Sequence, residues 1–157
     1  MIWVPWLLYA HILGAIVAFG PTFAFPIVGA AAGREPQHVN FVLRTLYFIS
    51  RRLIVPLALL QGVTGVGLIL AEGIYLFATR WLLVAIVLYA AALYVAIGLN
   101  LPNTSRMIEM TATPPPPGAG GPPPELVRRI ASGRRYGQIL VVLIAAIVFL
   151  MVAKPSF

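Results

Sequence analysis

Four apolar runs, each long enough to cross a lipid bilayer as a helix, dominate this chain: Ile2 to about Val28, about Leu53 to Glu72, about Arg80 to Leu99 and about Gly137 to Ala153. A hydrocarbon layer of about 30 Å takes about 20 residues at a helical rise of about 1.5 Å each. Inside such a layer no water is available to pair a backbone N–H or C=O, so each run must close its hydrogen bonds within itself. The fold class follows as all-α, an integral membrane four-helix bundle forming a single domain over residues 1–157. Composition agrees, with 61% hydrophobic and 10% charged residues against about 45–50% and about 25% in ordinary soluble domains. The first run has no basic n-region and outlasts the roughly 7–15 residues of a signal-peptide core, so it is read as a retained helix.

Charge sets the orientation. The segments after the first and third runs carry Arg34, Arg44, Arg51, Arg52, Arg106, Arg128, Arg129, Arg134 and Arg135, while the opposite side carries only Arg80 and Lys154. Basic residues accumulate on the cytoplasmic side, so both termini are expected outside, in a bacterial cytoplasmic membrane. Trp3, Trp6 and Trp81 then fall at the outer boundary, and Tyr47, Phe48 and Tyr136 near the inner one. The net charge of +7 is thereby spent on anionic headgroups at the inner arginines, and nucleic acid is not expected as a partner.

The connections differ in kind. Gly33 to Asn40 is a short polar link, followed by a helical run-in over Phe41 to Arg52. Glu72 to Thr79 is tight, which makes the second and third spans antiparallel neighbours. Between Pro102 and Pro124 the chain holds Pro114 to Pro117 and Pro122 to Pro124 around Gly and Ala, a composition that predicts a polyproline II or disordered inner loop. Glu125 to Tyr136 reads as an amphipathic approach to the last span.

Few residues here are able to carry chemistry. With no Cys, no Asp and four Glu, the chain offers neither a thiolate site nor a carboxylate cage. No nucleophile and base pair, phosphate loop or paired carboxylates appears. Ionisable groups within a span are costly and mark function, and His11 is the one such group, about 12 Å below the outer end of the first span. Its helical neighbours Gly14, Ala15 and Ala18 form a small face that points it into the bundle. Gln61 and Thr64 in the second span and Tyr89 in the third lie at similar depth. Three readings fit. His11 fastens helices through Thr64, Gln61 or Tyr89 at about 1 kcal/mol or less per bond; it ligates a haem iron through one imidazole nitrogen; or it serves a quinone or proton relay. In the second, Gly14 and Ala15 border the macrocycle, and Thr64, Gln61 or Tyr89 orients the ring. His38 lies on the opposite side of the membrane and is not a second ligand.

The stretch from Leu8 through His11 to Gly20, with Val55-Pro56 and Val63-Thr64-Gly65, resembles uncharacterised bacterial four-helix membrane proteins distantly similar to the CopD and HemJ families. In HemJ-like proteins the first-helix histidine is associated with haem, and by resemblance that role falls on His11 as the metal ligand, with haem b as cofactor. HemJ-like enzymes also carry a lysine in a later helix, whereas the sole lysine here is Lys154 at a span's end. The resemblance thus implies haem association without implying porphyrinogen oxidation, and whether the chain is an enzyme stays open. The expected function is a haem-associated redox protein or a subunit of a membrane redox complex. The alternative is a non-catalytic structural subunit or assembly factor among other membrane subunits.

If the arginine count sets the topology, a reporter active only outside the cytoplasm works when fused after Phe157, and one placed among Pro114 to Pro124 behaves oppositely. Two reporters on one side would contradict the four-span arrangement.

Overall fold

The computed structural model describes residues 2–113 and 121–156. Its four long helices are α1 (Val4–Ala32), α2 (Pro36–Ala71), α3 (Arg80–Met110) and α4 (Pro124–Ala153), each long and apolar enough to span a membrane. All four exceed the apolar runs. With 36 residues, α2 is about 54 Å long at the helical rise, so it passes through the hydrocarbon and well into the headgroup region. Hydropathy marks only the lipid-facing length, while backbone bonding and the apolar stems of arginines carry the helix further.

Two connections therefore differ from the sequence expectation. The first link shrinks to Gly33 to Glu35, because a 3-10 turn at Pro36–His38 already leads into the helical run-in that starts at Val39. The expected loop from Pro102 is helical as far as Met110, so the irregular segment starts at Thr111. Pro114 to Pro117 lie outside the described residues. Pro123 is extended (φ −55, ψ 143) as a polyproline segment would be, and Pro124 opens α4, where a missing N–H leaves nothing unpaired.

Pro102 is tolerated inside α3 for a specific reason. Proline lacks an N–H and its ring collides with the carbonyl four residues back. Here Leu101, just before Pro102, bonds instead to the carbonyl of Ala96, closing a wider π turn over Tyr94–Asn100. The same solution precedes Pro56 in α2, where Val55 bonds to Ser50 across a π turn at Ser50–Ile54. At the end of α2, Gly73 (φ +63) closes a left-handed cap in which Ile74 N–H bonds Ile69 O and Gly73 N–H bonds Leu70 O.

The helices form an antiparallel ring. α1 packs on α2 and α4, α3 packs on α4, and the first half of α2 packs on the last turns of α3. Buried positions are mostly small, Ala18, Ala58 and Ala85 among them, and no large side chain among the described residues is fully buried. Large apolar side chains such as Trp6, Ile16, Val63, Val87 and Phe149 face outward, as expected where lipid is the solvent and helices associate by close backbone approach.

Polar contacts fasten the arginine-rich end. Asn40 of α2 donates to Ile108 O and Thr111 Oγ1 of the α3 end, both at 2.9 Å. Buried Asn103 of α3 donates to Arg129 O of α4 at 3.0 Å. Glu125 joins Arg129 at 2.9 Å and lies 3.9 Å from Arg106. The hydrogen bond from Arg129, with Arg128 and Arg106 nearby, holds the Glu125 carboxyl below its ordinary pKa. At the opposite end Lys154 sits 5.9 Å over the Trp81 ring, tying α4 to α3. The start of α1 and the end of α4 thus lie opposite the arginine-rich end.

Replacing Asn40 or Asn103 with Ala is expected to lower unfolding stability by about 1 kcal/mol each, since buried helix carbonyls lose a donor. Detergent denaturation checks this, with exposed Gln37→Ala as the unaffected control.

Candidate functional site

The antiparallel register of α1 and α2 builds the site. Leu7 meets Gly67, His11 meets Thr64 and Gly65, and Gly14 meets Gln61. As numbers rise on α1 they fall on α2, and each larger side chain rests over a glycine of the other helix. A β-carbon on Gly65 would stand 3.3 Å from His11 Cε1, and one on Gly14 would stand 2.9 Å from Gln61 Oε1. The glycines are what let the two backbones close on their polar side chains.

Of the three partners expected for His11, the structure chooses Thr64: Nδ1 lies 2.8 Å from its Oγ1. Thr64 has one hydroxyl proton, and Leu60 O and Gln61 O both lie 3.1 Å from that oxygen, one helical turn back. With that proton on a carbonyl the hydroxyl accepts from Nδ1–H and Nε2 carries the lone pair; with it on Nδ1 the ring proton sits on Nε2. No protein group among the described residues bonds Nε2. No buried side-chain nitrogen or oxygen lacks a partner either, so Nε2 opens to the surface of the bundle.

Tyr89 belongs to a different contact. It approaches α2 from α3, donates its hydroxyl proton to Ala58 O, and lies against Gly62, whose absent β-carbon would sit 2.8 Å from the tyrosine oxygen. Equal depth placed Tyr89 beside His11 in the sequence reading, but depth along a helix does not say which side of the neighbour is reached. Gln61 is buried over Gly14 and serves the seam. Sequence reading gave Asn40 and Asn103 no contact and did not pair Gly62 with Tyr89. A tyrosine hydroxyl needs an acceptor in lipid, and a glycine four residues beyond a helical carbonyl supplies the clearance; that pairing was the available signal for Gly62.

The donor chemistry fits a haem iron, which takes an imidazole nitrogen whose ring is oriented by a hydrogen bond on the other. Of the small face beside it, Gly14 is covered by Gln61, Ala18 is wholly buried and Ala15 is half-buried, so a macrocycle would lie on the open side of the imidazole. His38 is exposed, 3.7 Å from Glu35, at the arginine-rich end. Among the described residues no three His, Cys, Asp or Glu side chains come together as a metal site.

A family model described as "Predicted integral membrane protein (DUF2269)" matches residues 5–155, and the chain belongs to that family. The match extends over all four helices. No curated protein and no solved structure matches the chain significantly.

Gly62→Ala is expected to destabilise the fold by about 1–3 kcal/mol, because its methyl group has no room beside the Tyr89 hydroxyl. In a Tyr89→Phe background that oxygen is gone and the penalty shrinks. A double-mutant cycle by detergent unfolding reads the coupling, and additive effects would show that the two side chains do not meet.

Proposed function

We propose that this protein is a haem-associated redox protein of the bacterial cytoplasmic membrane, alone or as a subunit of a membrane redox complex, with His11 as its ligand residue. One observation carries the reading: Thr64 holds Nδ1, and Nε2 meets no partner among the described residues at the surface of a lipid-embedded bundle. A polar ring nitrogen left without a partner at that depth is costly unless something coordinates it or bonds to it. Haem, when bound, supplies one-electron chemistry at its iron. The chain's own part is to present Nε2, to hold the ring through Thr64 against rotation, and to keep water away with the surrounding apolar side chains. Gln61 and Tyr89 hold helices together and are one step removed from the imidazole. The inner arginines would meet anionic headgroups.

A second reading rests on the closeness of the same seam. With His11 set against Gly65 and Gln61 against Gly14, the polar layer fastens α1 to α2 in a structural subunit or assembly factor and binds nothing.

The visible spectrum of protein purified from haem-replete cells decides between them. The haem reading expects a Soret band that shifts on reduction, disappears in His11→Ala and persists in His38→Ala. In Thr64→Val the freed ring should weaken haem retention about 10–100-fold. A wild-type protein without a Soret band ends the haem reading. His11 then acts only as a fastener, and His11→Ala should lower stability by no more than a single interhelical bond.

A further inference from the structure

Nearer the arginine-rich end all four helices enclose a cavity of about 60 Å³ that His11 does not line. Its walls are apolar apart from Thr22, Ser50, Asn100 and Tyr89, and Phe19 and Phe25 of α1 also line it. Ser50 begins the π turn of α2 and Asn100 ends that of α3, so both distorted turns open on the same space. Each following proline removes one N–H, which leaves a carbonyl of the preceding turn without its helical donor.

Thr22 is the informative residue. It is only 7% exposed, yet its hydroxyl makes no hydrogen bond with any described residue. Thr45, Thr64, Thr104 and Thr111 each bond a carbonyl one turn back. Because no buried side-chain oxygen among the described residues lacks a partner, the Thr22 hydroxyl must face open space, and the cavity is the space it lines. The side chains of Ser50 and Asn100 are likewise unbonded to any described residue. Hydroxyl and amide groups without partners inside hydrocarbon need something to pair with. Asn100 is about 30 Å along the helix from Arg80, so the polar end of the cavity lies at the headgroup boundary, where water is available.

We propose that this cavity is a water site entered from the arginine-rich side, with Thr22, Ser50 and Asn100 as its hydrogen-bonding partners. At about 30 Å³ per molecule it takes roughly two waters, which pair the three side chains. The site is independent of haem binding at His11.

Hydroxyl-radical labelling of the wild-type chain in lipid nanodiscs tests it, because radicals formed from bound water mark the side chains beside that water. Phe19 and Phe25, which line the cavity, should be labelled several-fold faster than Phe23, which is 46% exposed to the lipid side of the same helix. Labelling of Phe19 and Phe25 no faster than Phe23 would overturn the proposal, whatever any variant does. Thr22→Val should then slow labelling of Phe19 and Phe25 several-fold and leave Phe23 unchanged. Undiminished labelling in that variant would overturn the role given to Thr22.

Discussion

Hydrocarbon offers no hydrogen bonds, so every backbone and side-chain polar group at depth has to find its partner in the chain itself or in what the chain binds. The helices satisfy this along most of their length without help. Prolines at 56 and 102 are the exceptions within α2 and α3, and both are handled in the same way, by a π turn that moves the preceding N–H back five residues to Ser50 or Ala96. The relief of one steric clash by each turn leaves unpaired carbonyls behind. Ser50 and Asn100 of these turns line a common cavity with Thr22, and with Tyr89 they are the polar residues of an otherwise apolar lining.

The same constraint shapes the α1 and α2 seam. Without a hydrophobic drive between helices in lipid, association depends on close approach and on hydrogen bonds across the contact. Glycines at 14, 65 and 67 provide the approach, and the His11–Thr64 bond supplies the polar link. Because Thr64 takes up Nδ1, the link also makes Nε2 the imidazole nitrogen left without a partner among the described residues. Packing and potential chemistry therefore meet in one pair of side chains, which is why removal of His11 alone cannot separate them and a spectrum can.

At the arginine-rich end the polar contacts are of another kind. Asn40 and Asn103 bond to backbone carbonyls of neighbouring helices, while Glu125 stands between arginines. Exposed ion pairs contribute little. The asparagine contacts, directed at carbonyls and partly or wholly buried, do more to hold the helix ends.

From the sequence alone came the four helices, their approximate spans, the tight turn between the second and third, and His11 as the one ionisable group at depth. Those follow from hydropathy and from the helical rise, which are properties of a single segment. Which groups meet across segments was decided only by tertiary packing. Depth admitted Thr64, Gln61 and Tyr89 equally as partners for His11, and helix rotation gave the bond to Thr64, turned Gln61 onto Gly14 and sent Tyr89 to Ala58 O on a different contact. The small face of α1, open to either a ligand or a helix by sequence, is covered at Gly14 by Gln61 of α2. The helical stretch from Pro102 to Met110 was hidden for a related reason: proline argues against a helix locally, and the π turn that accommodates it is held in place by the packing of α3 against α4.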